Sequence, residues 1–407
     1  DRSVSRGLGD VYKRQLVIAP TYCKMRCANG QIERHFFPNI PKDKYKITIL
    51  CSEQWRDCIQ TDHCILKRTH FNKWIDYACR AMFHTPFSYI GNVPDKNLFS
   101  WGNNAIKEVL RLARKDKFDI IHSICMPCSS HIVAYEIKKR LHIPWIAQFY
   151  DPWSGNPFRT LKGHKMQQLD EQLERLVAEN ADLIIHPCDA MIEHWKALYG
   201  EVVKDKLTIL PFITEIPEET SYIKKESEQI IISHIGSFSK NRNASVFIQA
   251  LAKLDESVRK KIKVNFVGNV TKEDIKLINH HQLQYTINLI GKIPEQKCHH
   301  YYEISDMFLI IDIDCNPNLF YPSKILKYFC YQKPILGITT EHSVVRDELK
   351  KTGNYPFYYD DVDGISKFLT KVVEDYPSIC TNDRNYGKRF LKESVINQYC
   401  KLVTQLG

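Results

Sequence analysis

From Leu16 onward, short apolar runs alternate with longer amphipathic or polar segments, the pattern of strand–helix–strand units that feed a parallel sheet. In the first half the apolar runs predict strands at residues 16–20, 46–51, 118–123, 144–150, 181–186 and 207–211. A period near 3.6 fills the intervals and predicts helices over 105–114, 130–140 and 166–180. Between Ile213 and Gln229 the periodicity stops, and Glu215, Pro217, Glu218, Glu219, Lys224, Lys225, Glu226 and Glu228 form a polar connection. A second series follows, with strands at 230–235, 263–267, 286–290, 307–313, 334–337 and 357–359. The pattern predicts an α/β chain of two doubly wound, Rossmann-like domains. The first runs over 16–212, a linker over 213–228 and the second over 229–388, and a C-terminal helix over 389–407 packs back on the first domain.

The length of 407 residues agrees with two cores rather than one, and 43% hydrophobic with 26% charged residues is ordinary for a globular protein. No apolar run approaches the ~20 residues of a membrane span, and no charged-then-apolar leader opens the chain, so a cytoplasmic location is expected. The 14 cysteines are scattered and come without a leader, which predicts reduced thiols. The net charge of +10 is spread along the chain rather than gathered into a basic arm. That distribution argues against nucleic acid and for a phosphate-bearing substrate or an anionic membrane surface. Asp10-Val11-Tyr12-Lys13-Arg14-Gln15 resembles a translated sequencing adaptor, so residues 1–15 are expected to lie outside the native fold.

Gly236 ends the first strand of the second domain, and Ser237, Phe238 and a polar run through Arg242 and Asn243 lead into an apolar helix. A loop at the carboxyl end of the first strand, opening onto a helix N-terminus, is where open α/β sheets bind phosphate. Arg242 adds a charge-assisted contact in that reading; in the other it belongs to a solvated turn. Pro322-Ser323-Lys324 starts a second helix on the same sheet edge, with Ser323 as a cap and Lys324 within reach of a diphosphate, or as an ordinary capped helix. In the first domain Asp151 follows a strand end, where it contacts substrate hydroxyls or caps a turn. Cys125-Met126-Pro127-Cys128 has the spacing of a thiol redox site, and His122 beside it reads as a packed or cleft-lining histidine. Residues 71–82 place Phe71, Trp74, Ile75, Ala78 and Met82 on one helical face beside Lys67, Arg68, Lys73 and Arg80, which suits a core face or an anionic membrane.

Taken in order, several stretches resemble the retaining glycosyltransferases of family 4, especially those of bacterial surface-polysaccharide assembly. They are Lys117 to Ser123, Ile143 to Ala147, Asp151 to Ser154, Ala181 to Ile185, Gly236 with Arg242-Asn243, Val267-Gly268, Ser305-Asp306, and Pro322 to Leu326 followed by Lys333-Pro334-Ile335. The resemblance spans nearly the whole chain after Gln15 and implies two facing Rossmann-like domains, the GT-B architecture. It implies that Arg242, Lys324, Gly236, Ser237 and Ser323 hold the donor diphosphate. Phe238, Lys292, Ile293 and Lys327 then line the nucleoside site, Asn29 and Gly30 form a loop near the donor sugar, and Asp151 acts in catalysis. It further implies a nucleotide-sugar donor, a glycan or lipid-linked acceptor, peripheral membrane association, no metal and no cofactor. One departure stands out: the family's two glutamates seven residues apart, the later one gripping the ribose, are replaced by Leu319 and Lys327. Two further readings stay open, a non-catalytic glycan- or partner-binding member of the fold and a thiol oxidoreductase using Cys125 and Cys128.

Overall fold

Runs of β-branched and other apolar residues, buried on both faces, build two parallel sheets. The structure is a computed structural model that describes residues 12–24, 28–55, 64–82, 95, 99–159, 164–215, 229–379 and 385–406. The chain divides into two units, Asp1–Ile213 with Lys392–Gly407, and Thr214–Leu391.

The first unit contains β1 (Lys13–Ile18), α1 (Ala28–Phe36), β2 (Tyr45–Ser52), β3 (Cys64–Thr69), α2 (Lys73–Met82), α3 (Phe99–Ala113) and β4 (Ile120–Cys125). It continues with α4 (Ser129–Leu141), β5 (Trp145–Phe149), α5 (His164–Asn180), β6 (Leu183–His186), α6 (Asp189–Tyr199) and β7 (Leu207–Ile209). The second holds β8 (Ile230–Ile235), α7 (Ser245–Lys253), α8 (Glu256–Arg259), β9 (Ile262–Val267), α9 (Lys272–His280), β10 (Ile287–Gly291) and α10 (Glu295–Ile304). There follow β11 (Met307–Ile311), α11 (Ser323–Tyr331), β12 (Ile335–Ile338), α12 (Val344–Lys351), β13 (Tyr355–Phe357), α13 (Val362–Glu374) and α14 (Tyr376–Ile379). The closing helix α15 (Lys392–Gln405) belongs to the first unit.

The sheet orders are β3-β2-β1-β4-β5-β6-β7 and β10-β9-β8-β11-β12-β13. Every pairing is parallel, and each order is that of a doubly wound α/β domain. Expected strands lie within a few residues of the observed ones, but β3 was not foreseen. It is the outer strand of its sheet, and Lys67 and Arg68 interrupt its apolar pattern, as edge strands commonly do to discourage further pairing.

Two expectations change in the first unit. Residues through Gln15 were placed outside the fold, yet Lys13, Arg14 and Gln15 form the first half of β1. Gln15 is fully buried, and its amide nitrogen donates to the Tyr399 hydroxyl of α15 and lies 3.2 Å from His122 Nδ1. Tyr399 OH lies 2.9 Å from the same nitrogen, and His122 Nε2 lies 2.8 Å from Gln148 Oε1. Burial pushes His122 down to about 4, so it is a neutral core group. Residues 1–11 lie outside the described residues. The thiol expectation changes in part: Cys23 is disulfide-bonded, whereas Cys51, whose Sγ lies 3.7 Å from that of Cys23, is a free buried thiol.

Candidate functional site

Each sheet reverses its strand order beside its first strand, with β1 between β2 and β4, and β8 between β9 and β11. Loops leaving the carboxyl ends of such neighbours turn to opposite faces and open a crevice. In the second unit the two loops carry Gly236 and Asp312.

Gly236 adopts φ +148, a conformation that L side chains rarely take, and a Cβ there would lie 2.5 Å from Lys324 Nζ. The absent side chain is therefore the space in which the ammonium sits. Gly268 plays the same part behind it, since a Cβ there would lie 2.5 Å from the Gly236 carbonyl oxygen. Lys324, in the first turn of α11, is 3.3 Å from His234 Nε2, while His234 Nδ1 is 2.9 Å from the Leu309 carbonyl. A carbonyl can only accept, so Nδ1 carries the proton and Nε2 turns its lone pair to the ammonium. Burial, reinforced by the Arg242 cation and opposed by Asp312, pushes Lys324 down to about 7.

Arg242 is aimed by a tight turn in which Ser239 N–H donates to the Arg242 carbonyl at 2.9 Å and Arg242 N–H to the Ser239 carbonyl at 3.0 Å. Its buried Nε has no hydrogen-bond partner. Asp312, just past β11, is fully buried and raised to about 6 by that burial. The Ser343 hydroxyl at 2.6 Å, the Ile313 N–H at 2.8 Å and the nearby Arg242 all favour its carboxylate and limit the rise. Two cations thus converge on one buried carboxyl, and one guanidinium donor is left over. An anion with several acceptor oxygens, such as a diphosphate, satisfies that arrangement. Asp312 was missed in the sequence, although its place directly after a buried apolar strand marks it by the strand-end rule.

The other expected donor-site residues divide. Ser237 is exposed, and its hydroxyl accepts from Asn269 N–H at 3.1 Å. Phe238 is corrected: its ring stacks on His234 at 4.3 Å and meets Phe266 edge-on at 5.0 Å, so it belongs to the core and offers no platform to a nucleoside. Ser323 is corrected only as the helix cap. Pro322 holds the cap position and Ser323 is the first helical residue, exposed at the N-terminus of α11. Lys292 and Ile293 lie between β10 and α10, Lys292 exposed and Ile293 half-buried. Leu319 is half-buried, and Lys327 pairs with Glu295 at 3.3 Å.

In the first unit, Asn29 and Gly30 are not loop residues but lie in the first turn of α1. Asn29 Nδ2 donates to the Met126 carbonyl at 2.9 Å, and a Cβ on Gly30 would lie 2.7 Å from the Thr21 carbonyl oxygen. The glycine thus admits the chain's own backbone. Glu33, one turn on, is buried with Oε2 unpartnered and is pushed up to about 8 by desolvation. Asp151 is half-buried two residues past β5. Beyond it a cavity of about 410 Å³ is lined by Trp153, Asn156, Arg159, Gln167, Asp170 and Glu171, among others. Arg159 grips Asp170 with two hydrogen bonds of 2.8 and 2.7 Å, and Trp153 Nε1 donates to the same carboxylate at 2.7 Å. No sequence motif marked Arg159 or Asp170. Cys125 and Cys128 are free, buried and 3.2 Å apart, and desolvation raises both thiols, the reverse of what a reactive redox pair needs. Among the described residues, no group of three or more His, Cys, Asp or Glu side chains is placed to hold a metal ion.

Residues 215–382 match the family described as glycosyl transferases group 1, and residues 85–212 match the glycosyl transferase 4-like domain. The fold is similar to that of sucrose-phosphate synthase from Thermosynechococcus elongatus, at 13% identity and a TM-score of 0.68 over 97% of this chain and 99% of that one. It is also similar to HepE (Alr3699) of Anabaena in complex with UDP, at 12% identity and a TM-score of 0.69 over 97% and 100%. The lipopolysaccharide outer core galactosyltransferase WaaB matches at 11% identity and a TM-score of 0.64 over 97% and 99%. Comparison with curated protein sequences gives no match.

Proposed function

We propose, for a chain whose two halves are a glycosyl transferase 4-like and a group 1 glycosyl transferase domain and which is therefore a GT-B glycosyltransferase, that it moves a sugar from a nucleoside diphosphate to a glycan or lipid-linked glycan. The observation that carries the donor half of this reading is the convergence of Lys324, seated against Gly236, with Arg242 and its unpartnered Nε. As the bond between sugar and phosphate breaks, negative charge grows on the diphosphate, and fixed cations in a poorly hydrated site stabilise it without reorganising. No metal is needed for that charge. Retention at the anomeric carbon follows the family resemblance, and the 12% identical HepE, solved with UDP, suggests a uridine donor.

On the first unit we assign Asp151 to contact with donor or acceptor hydroxyls, and the cavity around Trp153 and Arg159 to an acceptor sugar. Peripheral binding to an anionic membrane, on the cytoplasmic side, belongs to the same proposal. It is supported by α2, whose Trp74 and Ile75 are 72% and 45% exposed beside Lys73, where the core alternative would bury them. No helix among the described residues is long and apolar enough to cross a membrane.

The test is calorimetric titration with UDP, GDP and ADP, together with hydrolysis and transfer assays over a panel of nucleotide sugars. One nucleoside diphosphate is expected to bind and its sugar conjugate to be turned over. Binding without turnover would favour the non-catalytic member of the fold, and no binding at all would overturn the donor site.

A further inference from the structure

The anion site is built almost wholly of donors. Lys324 and Arg242 cannot accept a hydrogen bond, and Asp312 is buried and engaged by Ser343 and Ile313. A nucleoside diphosphate also presents a ribose diol, whose two hydroxyls need acceptors. Lys327 follows Lys324 by three residues on α11, about one turn and ~4.5 Å along the helix axis. Its side chain is only 14% exposed, and its Nζ lies 5.5 Å from the centre of the Tyr302 ring and 3.3 Å from Glu295 Oε1. Glu295 opens α10 immediately after the β10 loop, on the same sheet edge, and its side chain is 54% exposed. A sheltered lysine thus holds one oxygen of a carboxylate that still faces solvent, one helical turn from the phosphate-binding lysine.

We propose that Glu295, oriented by Lys327, accepts the ribose hydroxyls of the bound nucleoside diphosphate. The inference rests on the donor assignment above. The cation on α11 does not meet the ligand. It neutralises and aims the acceptor supplied by α10, so Lys327 is a positioning residue.

The test compares UDP, GDP and ADP with their 2′-deoxy counterparts by calorimetry on the full chain. A site built to hydrogen-bond a hydroxyl discriminates strongly against the analogue that lacks it, so the wild type is expected to prefer the ribose form by about ten-fold or more. In Glu295→Ala that preference is expected to vanish, and the 2′-deoxy ligand, which has only its 3′-hydroxyl contact to lose, is expected to weaken less than the ribose form, because the phosphate contacts are untouched. Lys327→Met is expected to shrink the preference without abolishing it. Asp314→Ala, which removes an exposed carboxylate from the neighbouring loop, is expected to change nothing. A ribose preference that survives in Glu295→Ala, or that disappears in Asp314→Ala instead, overturns the proposal while leaving the donor site standing. Failure of all three diphosphates to bind overturns the donor site and this inference with it.

Discussion

The loops after β1 and after β8 hold equivalent places in two sheets of the same topology, yet they are filled in opposite ways. After β1, the slot left by Gly30 receives the Thr21 carbonyl and the Arg34 guanidinium, whose Nη1 donates to the Tyr22 and Lys24 carbonyls, and the buried acid nearby is Glu33. After β8, the slot left by Gly236 receives the Lys324 ammonium, with the Arg242 cation close enough to depress it. Topology supplies a crevice at both places, and charge decides what each can take. In the first the guanidinium donates to the chain's own carbonyls, whereas in the second Arg242 keeps a buried Nε without a hydrogen-bond partner, which is the feature the proposed donor diphosphate would use.

The largest effect that could break this contrast is expected from Arg242→Ala and Lys324→Ala. Each removes a charge-assisted phosphate contact and should weaken nucleoside diphosphate binding by ~1.5–3 kcal/mol, about ten- to a hundred-fold. Unchanged calorimetric affinity in both variants would show that the second crevice holds no phosphate. Gly30→Ala should act on the other side of the comparison. Its Cβ meets backbone on two sides, so stability should drop by ~1–3 kcal/mol in a denaturant melt, with nucleotide affinity preserved.

A subtler contrast lies in pH. Glu33, raised from 4.5 to about 8, makes the folded state hold a proton that the unfolded chain has released between those values, so its share of stability falls as pH rises through that window. Lys324, lowered from 10.5 to about 7, makes the folded state release a proton early, so its share of stability grows as pH rises from about 7 to 10.5. Melts against pH should flatten over the lower window in Glu33→Gln and over the upper window in Lys324→Met. A bound diphosphate favours protonated Lys324, so affinity should decline as pH rises above about 7, with proton uptake on binding. Titrations in buffers of different ionisation enthalpy measure that uptake, and its absence would place Lys324 away from the anion.

Much of the fold was legible because buried parallel strands are short uninterrupted apolar runs, and β8 was read to the residue. That Gly236, Arg242 and Lys324 come together was legible for the same reason, since all three follow recognisable strand ends or helix starts. What escaped depends on contacts distant in sequence. Phe238 looked available as a loop aromatic, but the His234 and Phe266 rings that enclose it come from two strands. Gly30 looked like a loop glycine because the masking of the α1 start by polar residues hid the helix. Gln15 looked foreign because it closes the adaptor-like run, and nothing local could show otherwise, since its partners His122 and Tyr399 lie 107 and 384 positions away.

That last pairing has a consequence for synthesis. The first unit is discontinuous: its sheet is complete by β7, but α15, with the Tyr399 hydroxyl that meets Gln15 and His122, is translated after the entire second unit. Domains ordinarily fold in order as they leave the ribosome. Here the earlier half must wait, with a polar cluster in its core short of one partner, while the later half is made and folds. The second unit, continuous from Thr214 to Leu391, is therefore the one able to mature first, and the first unit is finished only once α15 has emerged behind it.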